Sequence, residues 1–327
     1  MNPLRRTIAR QLQNDALSTR CLSFPCSPAR RFSTFVPPPP NAYHGAPVYD
    51  PVDLASPPSS SAGSARNADP DAVFVVVGAS RGIGLEYVRA LLSRTAGHIV
   101  ACCRDPAGAE ELGRVAEAAD GRATVLPLDV AEQAQVERLA NELRSGRERV
   151  DGLFNVAGIL GDGDAGPERN VSALDRTFLE KNMTVNVVGP MMVIRELAPL
   201  LKARKGKKLL PGRSAPSAVV NMSARVGSLA DCNRAGLGWH SYRMSKAALN
   251  MGTRVLAHEL KRQGTWTVAL YPGMTDTDLS KPFQKGVKQE FIFPVEFTVG
   301  RMLDVVDRME EKHSGGLYDW AGQALPF

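Results

Sequence analysis

The chain has 327 residues, of which 43% are hydrophobic and 23% are charged, the composition of an ordinary folded protein. Its formal net charge of +6 lies mostly in residues 1–32, which hold six arginines and one acid, and the nearly neutral remainder excludes nucleic acid as a partner. No apolar run approaches the ~18 residues that cross a bilayer, so we predict no membrane span.

Residues 1–32 are also rich in serine and alanine. Leu4, Ile8 and Leu12 recur every four residues, which places them on one face of a helix with arginines around it. This composition is typical of a mitochondrial transit peptide cleaved near Phe32. We therefore predict a mitochondrial location. The alternative is a basic tail without a targeting role on a cytoplasmic protein.

Residues 33–70 form the next segment. It contains the run Pro37–Pro40 and a second cluster of prolines and serines at residues 56–61, and it lacks apolar periodicity. Such a composition predicts a linker that builds no core of its own. Together with the leader it would form a disordered amino-terminal extension.

From residue 71 to residue 327 the pattern changes to short β-rich runs that alternate with amphipathic helical stretches. The predicted strands are Val73–Val77, His98–Cys102, Ala123–Leu128, Val150–Val156, Ala218–Met222 and Thr265–Leu270. The strands are apolar on both faces, as expected of a parallel sheet covered by helices on both sides. The sequence thus predicts one α/β domain with a doubly wound, Rossmann-type parallel sheet.

The turn after the first predicted strand is rich in glycine. It reads Gly78-Ala79-Ser80-Arg81-Gly82-Ile83-Gly84 and leads directly into a predicted helix. Glycines at such a junction let the backbone approach a pyrophosphate, which the helix amino terminus stabilises. We predict that Gly78, Ser80, Arg81, Gly82, Ile83 and Gly84 bind a dinucleotide; the alternative is a tight turn without a ligand.

The charge near this turn favours one cofactor. Arg104 lies twenty residues after Gly84, at the end of the second strand, where an acid would bind the ribose 2′-hydroxyl of NAD. Arg104 and Arg81 would instead attract a 2′-phosphate. We predict NADP(H). NAD(H) is the less favoured alternative, because Asp105 could pair with Arg104.

Tyr242 and Lys246 provide the chemistry. They lie four residues apart and therefore on one helical face. A nearby ammonium group favours the phenolate form of a tyrosine, which makes Tyr242 a candidate general acid for reduction and base for oxidation. The five cysteines and five histidines show no metal-like spacing, and we predict no metal.

The motifs together resemble the short-chain dehydrogenase/reductase family over residues 72–327. The resemblance rests on the G-x-x-x-G-x-G spacing, on Asn155-Val156-Ala157-Gly158, on Asn186, on Tyr242 with Lys246, and on Pro272-Gly273. The loop of residues 224–241 and the ending Leu325-Pro326-Phe327 look most like its sniffer-like carbonyl reductase branch.

The resemblance implies roles for further residues. Lys246 would also hold the nicotinamide ribose, and Asn186 would anchor a water molecule in the proton relay. Further cofactor contacts would come from Asp129, Asn155, Ala157, Gly158, Pro272, Gly273, Thr275 and Thr277. A helix cap remains the alternative for Asp129, a loop cap for each threonine, and a satisfied core amide for Asn186.

One position departs from the family. The strand end Val220-Asn221-Met222-Ser223-Ala224 resembles a stretch in which the family has two serines, the second of which orients the substrate carbonyl. Ala224 stands at that second position. We expect Ser223 to take over the role; the alternatives are that no serine does so, or that Ser228 is the fallback.

These observations predict an oxidoreductase that transfers a hydride between NADP(H) and a small carbonyl or alcohol substrate. A catalytically weak dinucleotide-sensing or scaffold protein of the same fold is the alternative, which Ala224 alone favours. Whether the chain forms a homo-oligomer is left open.

Overall fold

The computed structural model describes residues 49–55, 61–161, 166–232 and 238–327. The predicted leader of residues 1–32 lies outside them. The predicted linker lies partly outside, since residues 33–48 and 56–60 are not among the described ones.

Most strands form one eight-stranded sheet. In chain order the strands are β1 Val73–Val77, β2 His98–Cys103, β3 Ala123–Pro127, β4 Gly152–Asn155, β5 Arg204–Lys205, β6 Lys208–Leu209, β7 Ser217–Met222, β8 Thr265–Tyr271, β9 Leu317–Asp319 and β10 Ala324–Leu325. The sheet order is β10-β9-β8-β7-β4-β1-β2-β3, while β5 and β6 form a separate hairpin. Every pairing in the large sheet is parallel except that of β9 with β10. The doubly wound, Rossmann-type sheet is confirmed.

Helices cover both faces of the sheet. They are α1 Ala62–Ala68, α2 Gly82–Arg94, α3 Glu110–Glu117, α4 Gln133–Gly146, α5 Arg176–Met183, α6 Gly189–Leu201, α7 His240–Leu260 and α8 Val295–Arg308. Side chains of α2, α3 and α8 share one apolar core with the sheet. Side chains of α4, α6 and α7 share the second core on the opposite face. The two cores explain why the strands are apolar on both sides.

Helices α5 and α6 are joined by a π-helical turn, Thr184–Val188, into one continuous helical segment, Arg176–Leu201. Within the described residues, this is the one helix whose length and mean hydropathy of 1.2 would allow it to cross a membrane. Its apolar side chains Val193, Ile194 and Leu197 are at most 1% exposed and pack in the core beneath the sheet. Core helices of globular domains share this composition, so the segment gives only weak evidence of a span.

The described part of the predicted linker differs from expectation, because it packs onto the domain. Val52 is 3% exposed, and its amide donates to the carbonyl of Gly322 at 2.8 Å. Helix α1 lies so close to α8 that a Cβ on Gly63 would come within 2.3 Å of the α8 backbone. Arg66 is buried and donates to a backbone carbonyl. This segment packs largely through small and polar residues such as Gly63 and Arg66, so its sequence shows no apolar periodicity.

Candidate active site

The candidate site lies at the carboxyl ends of the parallel strands. The strand order reverses between β1 and β4, and this reversal opens a crevice above the sheet in doubly wound folds. The glycine turn follows β1, and the segment of residues 155–158 begins at the last residue of β4. A Cβ on Gly82 would lie 3.4 Å from Cγ2 of Thr277, which follows β8. The structure therefore brings the predicted glycine turn and the Pro272–Thr277 segment together.

Two glycines of the turn, Gly78 and Gly84, have no room for a side chain. Gly78 has a φ of +88°, and a Cβ there would lie 2.7 Å from the backbone of Ala157. A Cβ on Gly84 would lie 2.0 Å from the carbonyl oxygen of Gly78. Helix α2 begins at Gly82, and no side chain caps its amino terminus. Uncapped amides above a glycine cradle fit the pyrophosphate of a dinucleotide.

The two predicted phosphate-binding arginines are accessible. The Arg81 side chain is 75% exposed, with Nη1 at 3.6 Å from a carboxylate oxygen of Asp278. Arg104 is exposed and forms no ion pair with a described residue. Asp105 does not pair with Arg104; its Oδ1 accepts a hydrogen bond from the amide of Gly108 at 3.1 Å. The exposed guanidinium groups of Arg81 and Arg104 therefore offer positive charge to a 2′-phosphate.

Asp129 follows β3 at the edge of the sheet, and Asn155 is the last residue of the central strand β4. Oδ1 of Asp129 accepts from the amide of Ala131 at 2.9 Å in the turn before α4. The N-cap of α4 is Glu132, so Asp129 does not cap this helix, and its cofactor contact stays a prediction. Nδ2 of Asn155 donates to Asn221 on β7, whose amide in turn donates to Thr253 on α7. This chain ties the central strands to α7. Oδ1 of Asn155 is buried and lacks a partner within the described chain.

Tyr242 and Lys246 occupy the first turns of α7. Nζ of Lys246 donates to the carbonyl of Met222 at 2.8 Å and lies 5.5 Å from the centre of the Tyr242 ring. Burial lowers the pKa of Lys246 to about 8. Burial, followed by the charge of Tyr271, raises the pKa of Tyr242 above its usual value. The lowering of this pKa expected from the ammonium group of Lys246 is absent in the free protein, where desolvation prevails and the phenol carries its proton at neutral pH.

Asn186 lies in the π-helical turn between α5 and α6, a type of distortion that is frequent at functional sites. Its Oδ1 accepts from the amide of Ile159, and its Nδ2 donates to the Ile159 carbonyl, both at 2.9 Å. Nδ2 also donates to Ser245 on α7 at 3.0 Å. The side chain thus joins the segment after β4 to α7. These contacts suit both the relay role and a satisfied core amide.

Gly158 borders this group of side chains. A Cβ there would lie 3.2 Å from Oδ1 of Asn186 and 3.6 Å from Nζ of Lys246. Because Gly158 has no side chain, the space beside the ammonium group of Lys246 stays free.

The structure differs from the expectation for the serines. The Ser223 hydroxyl donates to Oδ1 of Asn250 on α7 at 2.6 Å, and the residue is 2% exposed. Ser228 is 3% exposed, and its Oγ accepts from the amide of Asp231 at 3.1 Å. The Ser223 proton is therefore used within the core. Ala224, which follows it, has no hydroxyl group.

The threonines after β8 make local contacts. Oγ1 of Thr275 donates to the carbonyl of Pro272 at 3.2 Å and hydrogen-bonds Thr298 on α8, and the residue is 3% exposed. Thr277 is half-buried, and its amide donates to Ser280 as part of a turn. Thr277 is the member of the pair that remains accessible from the site.

Sequence reasoning missed Glu168, which is 5% exposed and lies at the amino terminus of α7. Its carboxylate accepts from the amide of Ser241 at 3.3 Å and from the Ser241 hydroxyl. A carboxylate at a helix amino terminus stabilises the helix. Its main-chain carbonyl also accepts from the amide of Trp239 at 2.6 Å. Glu168 thus fixes the helix start that carries Tyr242. A single acid in a loop gave no signal.

The approach to Tyr242 has an aromatic wall. The Trp239 ring lies 6.3 Å from the Tyr242 ring and 4.8 Å from the Phe283 ring, measured between centroids. No group of three or more His, Cys, Asp or Glu residues that could hold a metal ion occurs among the described residues. The site therefore offers a phenol, an ammonium group and an apolar surface for the substrate.

Comparison with known proteins agrees with this geometry. The profile described as short chain dehydrogenase matches residues 72–288. The chain belongs to this family. Over 241 residues it is 32% identical to 1-hydroxy-2-glutathionyl-2-methyl-3-butene dehydrogenase of Rhodococcus sp. (strain AD45), covering 74% of this chain and 93% of that one.

Solved structures of this short-chain dehydrogenase family include carbonyl reductases. The NADPH-bound carbonyl reductase from chicken fatty liver is 31% identical with a TM-score of 0.68, covering 78% of this chain and 98% of its own. Carbonyl reductase Sniffer of D. melanogaster is 26% identical with a TM-score of 0.67, covering 79% and 99%. The resemblance to the sniffer-like carbonyl reductase branch is confirmed.

Proposed function

We propose that the chain is an NADP(H)-dependent carbonyl reductase or alcohol dehydrogenase acting on a small substrate. The observation that carries the proposal is the Tyr242 phenol, which keeps its proton beside Lys246 in the first turns of α7. A bound nicotinamide would supply the hydride that this chemistry needs. The carbonyl reductases among the solved relatives support the choice of reaction.

In the reduction of a carbonyl, each group of residues would have a separate role. The cradle of Gly78, Gly82 and Gly84 would hold the pyrophosphate, and Arg81 with Arg104 would hold the 2′-phosphate. Tyr242 would donate its proton to the substrate oxygen as the carbonyl carbon gains the hydride, which yields the alcohol. Lys246 would contact the ribose and stabilise the phenolate that remains. Oxidation of an alcohol reverses each of these transfers.

A catalytically weak sensor or scaffold protein is the second candidate. One observation favours it: Ala224 lacks a hydroxyl, and the Ser223 proton is used within the core. The two candidates differ in turnover, which can be measured as NADPH consumption with a panel of ketones, aldehydes and quinones.

The decisive variant is Tyr242→Phe, which removes the proton donor and keeps the ring. We expect turnover to fall by at least 10²-fold, roughly the contribution of general acid catalysis, with NADPH affinity nearly unchanged. The matched control is Tyr318→Phe, because the Tyr318 oxygen is buried and has no partner in the described chain. Retention of more than about a tenth of the rate by Tyr242→Phe would refute the proposed chemistry.

A further inference from the structure

A second phenol, that of Tyr271, lies at the same edge of the sheet as Tyr242. Tyr271 is the last residue of β8, and Pro272-Gly273 follows it. The pairing of Met222 with Leu270 brings the end of β7 level with Tyr271, and the amide of Ser223 donates to the Leu270 carbonyl at 2.8 Å. Tyr271 therefore lies beside the strand end that carries Ser223 and Ala224.

The side chain of Tyr271 lies on the α7 face of the sheet. Side chains alternate along a strand, so Tyr271 points to the same side as Ala269. Ala269 pairs with Asn221, whose side chain contacts Thr253 on α7. The ring of Tyr271 accordingly packs against the small cluster formed by Ala269, Leu317 and Leu325. This is the side from which Tyr242 approaches.

The two phenols also share an electrostatic environment. Burial raises the pKa of Tyr242, and the charge of an ionised Tyr271 raises it further. Burial raises the pKa of Tyr271 itself, Arg225 opposes this effect, and Asp319 adds to it. Neither phenol oxygen forms a hydrogen bond with any residue that the structure describes. Each oxygen also lies outside the set of buried polar atoms that lack a partner. Both hydroxyls therefore remain available to a ligand.

A carbonyl oxygen that gains negative charge in the transition state is stabilised by more than one donor. Tyr242 provides one donor. Ala224 cannot provide another, and the hydroxyl of Ser223 already donates to Asn250. We propose that Tyr271 is the second hydrogen-bond donor to the substrate oxygen and hence a catalytic residue; the inference rests on the proposed function. Tyr271 keeps its proton throughout, since Tyr242 supplies the proton that the product alcohol retains.

Tyr271→Phe tests the inference, because it removes the hydroxyl and keeps the ring that packs at the end of β8. We expect kcat/KM for an accepted carbonyl to fall about 10²-fold, mostly in kcat, as for other oxyanion donors. NADPH binding, followed by fluorescence, and the melting temperature should stay close to those of the unchanged protein. Tyr318→Phe again serves as the matched control.

Restoring a hydroxyl elsewhere in the site distinguishes a hydrogen-bond donor role of Tyr271 from a merely structural one. Ala224→Ser places a hydroxyl at the adjoining strand end, and in the Tyr271→Phe protein it should restore the rate at least tenfold. A loss below threefold in Tyr271→Phe, or a larger loss without rescue, overturns the inference. If Tyr242→Phe is inactive while Tyr271→Phe is not, only this inference fails. If Tyr242→Phe remains active, the proposed function itself fails.

Discussion

At the scale of single residues, the accessible arginines determine which dinucleotide the site should prefer. Arg104→Asp replaces a cation with an acid at the end of β2, where an acid can bind a ribose hydroxyl and repels a 2′-phosphate. We expect the unchanged protein to turn over faster with NADPH than with NADH, and the variant to reverse that preference. The measurement is kcat/KM for both cofactors with one carbonyl substrate.

The matched control for this prediction is Arg262→Asp, because Arg262 is also exposed but lies between α7 and β8, at the opposite edge of the sheet. It makes the same change of charge without altering the site and should leave the preference as it was. Faster turnover of the unchanged protein with NADH at equal concentrations would contradict the charge argument.

The sequence could place some of the site residues and not others. Tyr242 and Lys246 were predictable because the helical repeat alone puts them on one face. The Ser223 contact with Asn250 was not, because it depends on how β7 lies against α7, and no local pattern encodes that packing. Glu168 and Tyr271 lie 74 and 29 residues from Tyr242 along the chain, so no local spacing connects them with it.

At the scale of elements, the glycine turn can be tested with a pair of matched substitutions. Gly84→Ala would bring a Cβ within 2.0 Å of the Gly78 carbonyl, and either the turn or α2 must then shift. We expect weaker NADPH binding and a lower free energy of unfolding. Gly113→Ala lies within α3 with nothing inside 4 Å of the new Cβ, and it should stabilise the protein by about 0.5–1 kcal/mol.

Urea unfolding and an NADPH titration of both variants measure these effects. Equal stability and equal NADPH affinity of Gly84→Ala and the unchanged protein would show that the turn is not packed as tightly as described.

The length of an element and the regularity of its apolar residues explain which elements the sequence predicted. All six predicted strands are present, because long apolar runs between turn residues are a strong signal. Helix α3 has an apolar face but only eight residues, about two turns, and a pattern this short is a weak signal. Strands β9 and β10 have three and two residues, too few for a period to emerge.

At the scale of the whole molecule, residues 1–32 remain the basis of a prediction about location. An arginine-rich, acid-poor leader is typical of a transit peptide, which directs import into mitochondria and is cleaved off there. We expect the mature protein isolated from mitochondria to begin near residue 33, which mass spectrometry of its amino terminus would show. Replacing Arg5, Arg6 and Arg10 with glutamine should keep the full-length chain in the cytosol. An intact Met1 on the cellular protein would count against the prediction.

The contact between Glu168 and the start of α7 has a consequence for how this enzyme could change over evolutionary time. The loop that ends at Trp239, whose ring lies beside Tyr242, is held by Glu168 together with the start of α7, which carries Tyr242. A mutation that reshapes the loop for a new substrate therefore also shifts the proton donor, so adaptive steps in this region should be strongly epistatic. New specificities should emerge more readily from Phe283 and its neighbours, which border the pocket without anchoring α7.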